Sequence, residues 1–150
     1  MPKSTEVPNL FRFDIPDDAT CKLELRNDFG HVIDEADTYD ISIFPGFRKD
    51  QPSNLSDLEI ARQICGAFTS ETALPTLGEG GEILGYEVRV IGDTVIATGE
   101  MKNDRHELWG VVAVKIKAGC ESIAVVSGVG DRETLQSSYI TIVQSLDILT

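Results

Sequence analysis

Between residues 84 and 127 the chain passes through four stretches of apolar alternation separated by turns of a few residues, and that spacing leaves few folds open. Leu84, Tyr86, Val88 and Val90 alternate with Glu87 and Arg89, and Gly92-Asp93 supplies a hairpin turn into Thr94–Met101. A second turn around Lys102-Asn103-Asp104 leads to a long strand from His106 to Lys117, and Ala118-Gly119 turns into Glu121–Ser127. Side chains alternate across a strand, so apolar residues at every second position mark strands with one face buried. A parallel crossover needs a dozen residues or more, so strands joined this closely are antiparallel neighbours.

The stretch before this meander changes character once. After a polar lead of about nine residues, Phe11, Phe13 and Ile15 alternate with Arg12 and Asp14 until Pro16-Asp17-Asp18 ends the strand. Cys21, Leu23 and Leu25 make a second strand, His31-Val32-Ile33 a short one after the Asn27–Gly30 turn, and Tyr39, Ile41 and Ile43 another, closed by Pro45-Gly46. Then Leu55, Leu58, Ala61, Cys65 and Phe68 recur at spacings of three and four, the stripe of an amphipathic helix. Ser56-Asp57-Leu58-Glu59 matches a capping box, with Pro75 beyond the expected end. Leu77–Gly81 reads as a flexible loop.

A second helix closes the chain. Leu135, Tyr139, Ile142, Val143 and Leu146 form one stripe, with Asp131 as N-cap and Glu133 in the first turn. Each helix has one apolar face to bury, so each is expected to cover a sheet. Residues 1–150 are expected to form a single α+β domain: a mostly antiparallel sheet of about six to seven strands with two main helices, in the order strands, helix, four-strand meander, C-terminal helix.

Charge narrows the partners. The formal net charge is −12, with 13 acidic and 6 basic side chains in residues 1–60. A polyanion is repelled at every approach, so nucleic acid and anionic membranes are poor partners, and a basic protein suits the acidic first third better. The longest apolar runs, such as Val111–Val114, are four residues, against roughly 20 needed for a membrane span. The N-terminus lacks the pattern of a signal peptide, and the expected location is cytoplasmic. Cys21, Cys65 and Cys120 are odd in number and far apart, so buried thiols are expected rather than disulfides or a zinc site.

No catalytic or cofactor motif survives inspection. Ser127-Gly128-Val129-Gly130-Asp131-Arg132-Glu133 leads from strand to helix as a phosphate loop does, yet Asp131 and Glu133 put negative charge where a phosphate would dock. His31–Asp40 gathers a histidine and the carboxylates Asp34, Glu35, Asp37 and Asp40, without calcium-loop spacing. As a protein contact it is more attractive, because Phe29, Phe44 and Phe47 lie near it in sequence. His106 falls well away from Cys120 if their strands pair as a hairpin, so a Cys–His pair fails on geometry. Trp109 lies on the strand face opposite Leu108 and Val112, where it packs under a helix or serves as a partly exposed anchor beside Val111.

The element order resembles the PsbP-like superfamily. The likeness rests on Phe11-x-Phe13-x-x-Pro16 as the first strand and its exit, on Gly110-Val-Val-Ala-Val-Lys115 within the central meander, and on the closing helix ending Val143-Gln144-Ser145-Leu146. The family often carries an aromatic residue soon after that proline, where Asp17-Asp18-Ala19-Thr20 stands here. The resemblance implies a non-enzymatic protein-binding adaptor, chaperone or assembly factor, with no catalytic residue to carry over and no cofactor. The expected contact residues are Asp34, Glu35, Asp37, Asp40, Phe44, Phe47 and Trp109. The alternatives are a carrier of a small apolar ligand and a small enzyme with an unrecognised carboxylate site.

Overall fold

A computed structural model describes residues 3–7, 11–16, 19–24, 29–34, 38–49 and 55–149. Seven strands form one antiparallel sheet in the order β3 (Ala19–Glu24), β4 (Phe29–Asp34), β5 (Tyr39–Arg48), β9 (Ser122–Gly130), β8 (Leu108–Lys117), β7 (Thr94–Asn103) and β6 (Glu82–Ile91). The meander expected from residues 84–127 is its β6-β7-β8-β9 half, in unbroken antiparallel pairing apart from a bulge at Leu84. The strand Phe11–Ile15 leaves this sheet. As β2 it is the centre of a second, three-stranded sheet, between β1 (Lys3–Val7) and β10 (Asp147–Ile148). Part of the stretch that reads as a polar lead is therefore a strand.

Helix α1 (Asp57–Phe68) and helix α3 (Arg132–Ser145) cover opposite faces of the large sheet. Alternation along β8 shows why both are needed. Trp109, Val111 and Ala113 face α3 and β2, whereas Val112, Val114 and Ile116 face α1, so the strand is buried on both sides. Both expected N-caps form: Ser56 Oγ accepts from Glu59 N at 3.2 Å, and Asp131 Oδ2 accepts from Thr134 N at 3.3 Å. The end of the first helix differs from expectation. The chain continues through a π-helical turn (Thr69–Ala73) into a short turn, α2 (Leu74–Thr76), so Pro75 lies inside the helical run. Proline has no N–H with which to continue the ladder, and it follows directly on the π-helical turn, where the winding is already wider than in an α-helix.

Tyr139 of α3 is buried, and its hydroxyl has no hydrogen-bond partner among the described residues. A buried hydroxyl without a partner carries its desolvation cost uncompensated, so Tyr139→Phe is expected to leave stability unchanged or to raise it by about 1 kcal/mol. Burial first, then the Cys65 and Glu100 charges, hold the phenol well above its ordinary pKa of 10.0. The folded chain therefore keeps this proton above pH 10 while the unfolded chain releases it, and stability falls as pH rises. Urea unfolding at neutral pH and near pH 11 checks both points: the variant should lack this alkaline loss. A Tyr139→Phe chain less stable at neutral pH would refute the account.

Candidate functional site

The residues expected to meet a partner are dispersed by the fold. Asp34 ends β4 opposite Ala19, and its side chain, with Glu35 and Asp37, lies outside the described residues. Asp40 is half-buried on β5, and alternation puts it on the same face as Phe44, opposite Ile41 and Ile43. Phe44 and Phe47 do come together. Their rings lie 5.3 and 6.1 Å from that of Phe68 at the end of α1, across a register shift at Pro45-Gly46. Trp109 is on the other side of the sheet. It is 5% exposed, in the core beneath α3, with the Arg132 guanidinium 5.8 Å from its ring centre. Of the two arrangements open to it, it adopts the packed one.

A surface that the sequence did not single out lies along the other flank of α1. Helix α1 runs over β7 and β8, and its start is anchored there by Lys49, whose Nζ contacts Asp57 Oδ1 at 3.2 Å and donates to Lys117 O at 3.2 Å. Toward β6 the helix and sheet separate, leaving a groove of about 560 Å³ lined by Leu58, Arg62, Cys65, Gly66, Tyr86 and Val88. Small residues keep it open. A Cβ on Gly66 would meet nothing within 4 Å, so the helix contributes no side chain at that point. On the floor, Gly99 allows the Tyr86 ring and Thr69 to approach, for its Cβ would lie 2.7 Å from Thr69 Oγ1 and 3.1 Å from Tyr86 Cε1. The Cys65 thiol is buried beside Thr69 (Sγ–Oγ1 3.9 Å), and burial pushes its pKa up, so it is not a reactive thiolate.

Beyond the groove, β6 is a sheet edge with its apolar side chains in solvent: Leu84 is 47% exposed, Tyr86 53%, Val90 60% and Ile91 61%. Sequence alternation marks Leu84, Tyr86 and Val90 as the buried side of a strand, with Ile91 on the opposite face. Tyr86 and Val90 are exposed because α1 lies mainly over β7 and β8, and among the described residues no strand pairs with the outer edge of β6.

The other constellations take structural roles. Gly128 lies under α3, where a Cβ would meet Leu135 Cδ1 at 2.9 Å, and Gly130 lies against Thr38 and Tyr39. These glycines allow close packing and do not cradle a phosphate. Cys120 Sγ points to Ile148 O at 3.7 Å, whereas His106 lies over Gly78, in the loop that reads as flexible. That loop is pinned: the buried Asn103 amide donates to Leu77 O at 2.7 Å and Glu79 O at 3.1 Å. Among the described residues no three His, Cys, Asp or Glu side chains are grouped to hold a metal, and no helix is long and apolar enough to cross a membrane.

No family model matches the chain, and no curated protein matches it. Solved structures do. Cyanobacterial PsbP (CyanoP) from Synechocystis sp. PCC 6803 superposes with a TM-score of 0.67 at 14% identity, covering 98% of this chain and 92% of its own. The Ran-binding protein Mog1p of Saccharomyces cerevisiae gives 0.62 at 13% identity, covering 99% and 96%. The chain therefore has the fold of PsbP and Mog1p, and the resemblance carried by Phe11, Phe13, Pro16, the central meander and the closing helix holds at the level of fold.

Proposed function

We propose that the chain is a non-enzymatic protein-binding adaptor or assembly factor that receives its partner on the α1 side of the sheet, in the groove between α1 and β6. The observation that carries this is the exposed apolar side chains on β6, Leu84, Tyr86 and Val90, beside an open groove. Contiguous apolar surface is uncommon on chains that stay alone in water and marks contact sites. The fold supports the reading, since Mog1p, which shares it, is a Ran-binding protein. The net charge of −12 favours a basic partner, with Asp34, Glu35, Asp37 and Asp40, on the β4–β5 half of the sheet, adding attraction at longer range and Phe44 and Phe47 a second apolar contact beside α1.

The test is site-specific photocrosslinking in cells of the source organism. A photoreactive residue at position 62 or 86 should capture a protein other than a second copy of this chain, which position 137, on the exposed side of α3, does not. Gly66→Phe fills the groove and should abolish the adduct formed from position 86. It should not weaken the fold, because a glycine inside a helix costs about 1 kcal/mol relative to alanine. Asp34, Glu35 and Asp37 changed together to lysine should lower the adduct yield at low salt. Equal capture from position 137, or capture unaffected by Gly66→Phe, would refute the groove as the contact site.

A small apolar ligand is the second reading, and the groove volume favours it, since about 560 Å³ is within the ordinary range for ligand pockets. Native mass spectrometry of the purified chain distinguishes the two: a retained small molecule released by Gly66→Phe would replace the protein partner.

A further inference from the structure

We infer that the outer edge of β6 pairs with β6 of a second copy of this chain, antiparallel about a two-fold axis at Val88, joining the two large sheets into one. This stands on the edge itself and does not depend on what fills the groove. Strand β6 ends the sheet order, and a long, regular edge with exposed apolar side chains is a template for strand addition.

Which copy-to-copy register is available follows from the hairpin. Ile91 and Thr94 flank the two-residue Gly92-Asp93 turn, with Gly92 at φ 60°, so they are its hydrogen-bonded closing pair. Hydrogen-bonded and non-bonded pairs alternate along an antiparallel ladder, so Arg89 and Glu87 direct their backbone groups toward β7. Tyr86, Val88 and Val90 then present theirs outward. The regular stretch runs from Gly85, after the bulge at Leu84, to Ile91, before the turn, and its midpoint is Val88.

Pairing about Val88 satisfies these groups. Val88 faces Val88 of the second copy, and Tyr86 faces Val90, as hydrogen-bonded pairs with about six backbone hydrogen bonds in all. On the other face, Glu87 falls opposite Arg89 of the second copy and Arg89 opposite its Glu87. These are non-bonded pairs, where cross-strand side chains are closest. Within one copy Glu87 and Arg89 already form an exposed ion pair, Nε–Oε1 3.0 Å, and the two-fold exchanges it for two such pairs between copies. In a chain of net charge −12, this stretch carries one acid and one base, so two copies meet here without local repulsion. Because paired residues share a sheet face, the α1 helices of both copies lie on the same side of the joined sheet.

Sedimentation velocity of the full chain over about 5–500 µM, the range suited to a small interface, should show a concentration-dependent dimer. Glu87→Arg sets arginine opposite arginine and Arg89→Glu sets glutamate opposite glutamate, so each variant alone should dimerise at least ~10-fold more weakly. Mixed one to one, the two variants are complementary at both positions and should form a heterodimer about as readily as the unmodified chain. Circular dichroism controls for folding, and both positions are exposed. A monomer at every concentration overturns the inference and leaves this edge to a strand of another protein. So does a dimer that survives either single variant, or a mixture that stays monomeric.

Discussion

Replacing Gly130 by alanine is expected to cost about 4 kcal/mol, a large part of the stability of an ordinary domain. Two effects add. Gly130 has φ 152°, a conformation that L side chains rarely adopt. Its missing Cβ would also lie 2.4 Å from Thr38 O and 2.5 Å from Tyr39 Cα. Both neighbours are backbone, so neither can rotate away. The strand would have to move, and with it the bond from Asp131 N to Thr38 O (2.9 Å), which fixes the residue that caps α3. Gly128→Ala is the graded control. Its Cβ would meet Leu135 Cδ1 at 2.9 Å, the end of a side chain with rotamers to spare, so about 1–2 kcal/mol is expected. Urea unfolding of both variants checks the order, and a Gly130→Ala chain as stable as Gly128→Ala would refute the packing role given to this motif.

The same glycines show what was legible in the sequence. The motif and its place between strand and helix could be read, and Asp131 and Glu133 excluded a phosphate. What Gly128 and Gly130 face could not be read, because Leu135 reaches Gly128 through the packing of α3, and Ile41, Thr38 and Tyr39 reach the two glycines through pairing of β5 with β9. Elements specified by local pattern were accessible: both helix N-caps, the apolar stripes and the close-turned meander. Elements specified by distant partners were not. Phe11–Ile15 alternates as well as any strand in the large sheet, and only its pairing with Lys3–Val7 and Asp147–Ile148 removes it from that sheet. The two residues of β10 are too few to show a period.

The candidate surface was hidden for a related reason. A strand whose apolar side is covered and one whose apolar side is bare have the same alternation. Whether Tyr86 and Val90 are exposed depends on where α1 lies, which is fixed by Lys49, Asp57 and the close approach at Gly99. Phe44 and Phe47 were found because aromatic residues near a turn stand out, whereas Gly66 and Ala97 shape the groove by what they lack.

Lys115→Met should destabilise the chain by about 3 kcal/mol, through the last turn of α3. Lys115 projects from β8 beneath the helix, and its Nζ donates to Val143 O at 2.8 Å and Leu146 O at 2.6 Å. The last carbonyls of a helix have no partner within it and carry the negative end of its dipole, so an ammonium there supplies both hydrogen bonds and charge. Methionine keeps much of the apolar stem and removes both donors, which isolates the cap from the packing. Burial pushes the Lys115 amine below its ordinary value of 10.5, partly offset by the Asp147 charge. The folded chain thus gives up this proton at lower pH than the unfolded chain, so the contribution of Lys115 grows as pH rises through that interval. The neutral amine retains two N–H groups, enough for both carbonyls, so the cap survives deprotonation. The gap between the unmodified chain and Lys115→Met should therefore be large at neutral pH and widen as the pH approaches 10.5. Amide exchange should locate the damage in Ile142–Leu146 and in β10, which follows at once and pairs with β2. Unchanged protection in those segments would mean that the helix end is held by packing alone, and that the small sheet does not depend on this cap for its third strand.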